Sequence, residues 1–179
     1  MKDVWKKFDE TEPSHSSIHH LMAIYYLHKK NGYARGIDVA HYLNITRGSV
    51  SITLTKLKDK EYISEDENKF YRLTPQGQQI VNSVLSKRHI LQRFFTEVLQ
   101  LPEEVGEIDA CKIEHLLSNE IGEKLICFIG YYLSGEPEAQ SFRNGFQKFN
   151  FQCQAVPNCQ VCESKCFFAG NEISYNGEN

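Results

Sequence analysis

"GIDVAHYLNITRGSVSITLTKLKDKEYI", residues 36–63, decides how the chain is read. Val39, Ala40 and Leu43 give one short helix its buried side. Val50, Leu54 and Leu57 do the same for a second helix. Asn44 stands between them, where a tight turn needs a residue tolerant of positive φ. Thr46 is placed to cap the second helix. Ala40 is small where two helices must cross closely. The pattern predicts a helix-turn-helix. On the second helix the outward residues are short, polar or basic, with one apolar exception. Thr46, Arg47, Ser49, Ser51, Ile52 and Lys56 are therefore the candidate DNA contacts, Ile52 suiting a thymine methyl.

Upstream, His15–Lys30 carries Ile18, Leu21, Met22, Ile24, Tyr25 and Leu27 at helical spacing, and Gly32 offers a stop. Downstream, Tyr62–Ser64 and Phe70–Leu73 are β-prone stretches around an acidic turn, the signature of a wing. Thr74 then caps a helix with Pro75 at its first position. Three helices, a hairpin and a helix make a winged helix. Some winged helices bind only proteins, so the order of elements alone leaves both uses open.

Charge favours nucleic acid. Residues 1–95 hold 15 Lys/Arg against 10 Asp/Glu, whereas residues 96–179 hold 5 against 13. A basic front half suits phosphates, and an acidic rear half suits cations or solubility. With 41% hydrophobic and 24% charged residues, the composition is that of a globular protein. No apolar run approaches the ~20 residues that span a bilayer. "MKDVWKKFDETEPSH" has no signal-peptide core. The expectation is a cytoplasmic protein without a membrane role, in a compartment where six cysteines serve as ligands rather than disulfides.

Helical periodicity resumes from Pro75 to about Leu99. Beyond it, "ACKIEHLLS" places Cys111, Glu114 and His115 at i, i+3 and i+4, so a helix shows all three on one face. A thiolate, a carboxylate and an imidazole suit a divalent transition metal. Alone, the same spacing also describes a half-buried helix face with incidental polar residues. The apolar positions Leu116, Leu117, Ile121, Leu125, Ile129 and Leu133 recur at helical spacing and suit a dimer interface.

From about Ser14 to Leu133 the chain resembles the iron- and manganese-dependent repressors of the diphtheria toxin repressor family. "GYARGIDVAHYL", "GSVSITLTKLKDKEYI", "LTPQG" and above all "ACKIEHLLS" carry the resemblance. It implies a winged helix followed by a helical dimerisation domain, and a divalent metal that favours operator binding. It implies that Cys111, Glu114 and His115 are metal ligands, that His19 takes the first-helix ligand position, and that Met22 takes a second one. His19 departs from the family, which has Met or Asp there. Cys111, where manganese regulators carry a carboxylate, favours Fe(II), with Mn(II) as the alternative. The family's ancillary site falls on Arg88 and Gln92, which do not reproduce it.

"CQAVPNCQVCESKC" ends the reading. Cys153, Cys159, Cys162 and Cys166 follow a Cys-x5-Cys-x2-Cys-x3-Cys spacing. Four thiolates this close repel one another unless a cation lies between them, and a metal centre would staple a tail too small for its own core. Zinc sites usually bring two Cys-x2-Cys knuckles and only one is present, whereas the last three cysteines resemble ferredoxin spacing. A [4Fe–4S] cluster is expected, with structural zinc as the alternative.

The fold expected is mostly α: a winged helix-turn-helix over residues 1–76, a helical metal-binding and dimerisation domain over 77–135, and a cysteine-rich tail over 136–179. The function expected is a homodimeric, metal-dependent repressor on an inverted-repeat double-stranded DNA operator, not an enzyme. An iron–sulfur redox protein and a ferrous-transport accessory protein using its winged helix for protein contacts are the rivals.

Overall fold

The computed structural model describes residues 13–149, and the backbone of 151–152 and 172–173. The four tail cysteines lie outside the described residues. Two compact units form: one runs through His89 and takes in Ala110–Asn119, and the other holds Ile90–Asp109 and the residues from Glu120 onward.

In the first unit, helix α1 spans His15–Asn31, α2 Gly36–Leu43 and α3 Arg47–Asp59. Ser14 caps α1 by accepting from the Ser17 N–H, and Gly32 ends it at φ 80°, its N–H donating to His28 O. Asn44 closes α2 at φ 53°, the left-handed turn its side chain tolerates. Thr46 caps α3, its hydroxyl accepting from the Ser49 N–H. Leu21, Ile24 and Leu27 of α1 meet Val39 and Ala40 of α2 and Val50, Leu54 and Leu57 of α3 in one core. Each fully buried Leu there contributes roughly 1.5–3 kcal/mol of transfer free energy.

Strands β1 (Ile63–Glu65) and β2 (Tyr71–Leu73) pair antiparallel, Ile63 opposite Leu73. They begin one residue later than their β-prone stretches. Tyr62 is drawn off because its N–H donates to Leu57 O. Phe70 is drawn off because it bridges Arg35 instead. Asp66 builds the turn by accepting from the N–H groups of Asn68 and Phe70, each at 2.9 Å. Helix α4 (Pro75–Arg93) follows. Gly77 sits in its first turn so close to the Tyr62 carbonyl that a Cβ would stand 2.0 Å from that oxygen.

The second unit holds the last turns of that helix, which widen into a π-helical segment over Phe94–Val98. Leu99 N–H reaches Phe94 O at 3.0 Å and Leu101 N–H reaches Phe95 O at 2.9 Å. Gln100, at φ 56°, then stops the helix. Helices α5 (Glu103–Ile113), α6 (Asn119–Tyr132) and α7 (Pro137–Lys148) complete the helical part. Val98, Ile129 and Tyr132 form the core here, with Phe94, Leu133 and Phe146 against them. Ile129 and Leu133, expected at a dimer interface, are thus spent on this internal core. Ile121, also expected at that interface, is exposed on α6, together with Ile126, Phe128 and Tyr131. Strands β3 (Phe151–Gln152) and β4 (Glu172–Ile173) pair antiparallel on either side of the segment that carries the tail cysteines.

Candidate metal centre and DNA-reading face

Cys111 lies on the last turn of α5, but that helix ends at Ile113. Glu114 and His115 occupy the turn beyond it. The Glu114 N–H still donates to Ala110 O at 2.9 Å, while Leu116 and Leu117 both turn back to Ile113 O. This stretch belongs to the first unit, with the winged helix.

Glu114 is 0% exposed and is one of the two buried polar residues among those described. A buried carboxylate needs a partner. Arg88 of α4 supplies it: Nε donates to Glu114 Oε2 and Nη2 donates to Oε1 at 2.8 Å. The same Nη2 lies 3.4 Å from Cys111 Sγ and 4.0 Å from Met22 Sδ. The hydrogen bond to Glu114 holds the guanidinium firmly charged, above the usual arginine range, against the opposing effect of burial. Three of the five expected ligands therefore surround one arginine nitrogen.

The other two gather elsewhere in the same unit. His15 Nδ1 is 3.2 Å from His115 Nδ1 and 3.1 Å from His115 Nε2. The His15 ring centroid is 4.3 Å from that of His19 and 4.3 Å from that of His115. Burial first, then the neighbouring His15, lowers the pKa of both His19 and His115 below 6.5. Arg88 also contributes at His19. Both imidazoles thus favour the neutral form, the one that ligates metals.

Among the described residues no three His, Cys, Asp or Glu side chains converge at metal-holding distance. In kind, the donors fit a divalent transition metal: a thiolate, a thioether, a carboxylate and imidazoles. In arrangement, Arg88 stands among the sulfur and carboxylate donors. Sequence reasoning placed Arg88 only at an ancillary position and did not single out His15. The i, i+4 spacing of His15 and His19 was the available signal for the latter.

The reading face is simpler. Arg47, Ser49, Ser51 and Lys56 are exposed on α3, as is Ile52 at 62%. Val50, Leu54 and Leu57 face inward. Thr46 serves as the helix cap, and its hydroxyl also lies 2.9 Å from that of Ser49. Lys58 of α3 pairs with Glu65 of the wing at 2.6 Å, which ties the two together.

Helix-turn-helix, wing and a helix with an exposed polar and basic face define a winged-helix protein. Residues 74–138 match a family model described as the iron dependent repressor, metal binding and dimerisation domain. An uncharacterized helix-turn-helix-type transcriptional regulator of Methanocaldococcus jannaschii is 32% identical over 117 residues, 65% of this chain and 94% of its own. The helix-turn-helix-type transcriptional regulator MntR of Geobacillus thermodenitrificans is 29% identical over 140 residues, 78% of this chain and 98% of its own. The solved structure of T. acidophilum IdeR superposes with a TM-score of 0.55 at 27% identity, covering 67% of this chain and 54% of its own. The chain thus spans nearly all of those two regulators and about half of the length of IdeR. It belongs to the diphtheria toxin repressor family of metal-dependent transcriptional regulators.

Proposed function

We propose that this chain is a homodimeric, metal-responsive repressor that reads an inverted-repeat double-stranded DNA operator with α3, and not an enzyme. The observation that carries the reading is the co-location, in one unit, of an exposed polar and basic reading helix with the Cys-x-x-Glu-His stretch. Thr46, Arg47, Ser49, Ser51, Ile52 and Lys56 are the assigned DNA contacts. A two-fold dimer presents α3 twice, which requires an operator with matching symmetry. The exposed apolar residues of α6 support self-association.

His19 and Met22 on α1, with Cys111, Glu114 and His115 at the end of α5, are the ligands we assign. Joining them ties α1 to the turn after α5 and so shifts the population of DNA-competent chains. The two sulfur donors favour Fe(II) over Mn(II). For the tail, we propose a [4Fe–4S] cluster on Cys153, Cys159, Cys162 and Cys166, with zinc as the competing occupant. Its support is the cysteine spacing and the pairing of β3 with β4 at the ends of that segment. Brown anaerobic protein with about four irons and four sulfides beyond the helix site is the expected result. Colourless protein holding one zinc in the tail overturns it. No helix among the described residues is long and apolar enough to cross a membrane, and we place the protein in the cytoplasm.

Glu114→Ala tests the metal reading. Removing the charged ligand is expected to abolish the gain in operator affinity that Fe(II) brings, read on a variant whose folding is confirmed, since the change also leaves Arg88 unpaired. An undiminished Fe(II) response in that variant sinks the assignment.

A further inference from the structure

Arg88 occupies the position that a cation would take among Met22, Cys111 and Glu114. Its Nη2 stands 2.8 Å from a Glu114 carboxylate oxygen, 3.4 Å from Cys111 Sγ and 4.0 Å from Met22 Sδ. Its Nε takes the second carboxylate oxygen. Both oxygens of the only carboxylate in the ligand set are engaged by one planar fork, a geometry specific to arginine. The side chain is largely buried, at 20% exposure, beside a carboxylate at 0%. A divalent ion coordinated by all three side chains would need the space that Nη2 holds among them.

We infer that Arg88 is a tethered competitor for the metal: an internal cation that holds Met22, Cys111 and Glu114 together without metal and must swing out before these three can coordinate one. The inference rests on the metal-responsive reading above. It assigns Arg88 the setting of the response threshold, because every metal ion bound there has to displace a bidentate ion pair. The competing ligand sits on α4, so exchange between arginine and metal changes what links α4 to α1 and to the turn after α5, all within the first unit.

Mn(II) is a suitable probe, since the electron-paramagnetic-resonance signal of its free aquo ion collapses on binding. It prefers oxygen and nitrogen donors, which leaves the all-thiolate tail aside. Full-length wild-type chain, Arg88→Gln and Lys87→Gln are titrated, with Glu114→Ala added to each background to mark the site. Arg88→Gln is expected to bind Mn(II) at least about tenfold more tightly than wild type, in a manner lost with Glu114→Ala. Lys87→Gln removes a neighbouring positive charge and is expected to change affinity by less than about threefold at the ionic strength of the cell. An equal gain in both variants makes the effect one of general charge and overturns the inference. Equal or weaker binding by Arg88→Gln, with a Glu114-dependent site in both chains, overturns it and leaves the metal-responsive reading intact. Absence of any Glu114-dependent site overturns both. If Arg88→Gln fails to fold, Arg88→Lys decides: it keeps the charge, gives up the fork, and is expected to bind more tightly than wild type. Equal or weaker binding by the lysine variant overturns the inference.

Discussion

Glu114 and Arg88 set the energetics at the scale of single residues. Removing one member of a buried, hydrogen-bonded ion pair leaves the other uncompensated, at a cost of roughly 3–5 kcal/mol. Arg88→Met in metal-free protein is therefore expected to lower the unfolding free energy by about that much, and Arg88→Met with Glu114→Gln to recover most of it. Equal losses in the single and double variants, by urea denaturation, contradict this. Three histidines give the unit a pH dependence. Burial holds the pKa values of His19, His20 and His115 below the usual 6.5. The unfolded chain then binds more protons in that window, so stability is full above pH 6.5 and falls as pH drops through the lowered folded values. The urea midpoint is expected to decline between pH 7.5 and 5.5, the interval in which unperturbed carboxylates do not titrate. A flat midpoint argues against neutral buried imidazoles. The i, i+3, i+4 spacing predicted one helical face for Cys111, Glu114 and His115, but the helix ends at Ile113, so Cys111 and Glu114 meet Arg88 while His115 meets His15. Arg88 was not legible as their partner, because only tertiary packing brings it across 26 residues to Glu114.

Elements whose side chains repeat with a period were the ones sequence could place. Helix α3 was recovered with its inward and outward residues because Val50, Leu54 and Leu57 mark its buried stripe. The wing was found one residue early, since the Tyr62 N–H bond to Leu57 O and the bridge between Phe70 and Arg35 carry no periodic signal. The π segment at Phe94–Val98 likewise keeps an apolar sequence while changing its hydrogen-bond register. Lys56→Ala on α3 is expected to weaken binding to all duplexes and to flatten the salt slope by about one, the mark of a lost phosphate contact. Arg47→Ala is expected to cost about 1–3 kcal/mol at a preferred base pair and relax preference there. Unchanged affinity in both variants at moderate salt means α3 faces something other than DNA. At the α4 junction, Gly77→Ala forces a methyl against the Tyr62 carbonyl. A loss of roughly 1–3 kcal/mol is expected, and a thermal midpoint equal to wild type shows the backbone yields instead.

Over the whole molecule, charge follows function. The basic half of the chain contains the reading helix and wing, and the acidic half contains α5, α6 and the tail. The order of elements alone did not give the return of residues 110–119 to the winged-helix unit; the family resemblance, which sets His19 and Met22 against Cys111, Glu114 and His115, is what implied it. That return puts the Cys-x-x-Glu-His stretch in the same unit as α1 and α3, which is what the proposed action of metal on DNA binding needs. The account therefore stands or falls on coupling between metal and DNA. Duplexes selected from a random library by the anaerobic protein with Fe(II) supply the operator, which is expected to be an inverted repeat. Affinity for that duplex, by fluorescence anisotropy at fixed salt, is then compared with Fe(II) and with a chelator. A coupling of about 1–3 kcal/mol is the usual range, which predicts binding roughly 5–150-fold tighter with metal. Affinities equal within about twofold, or selection that yields no preferred duplex, contradict the account.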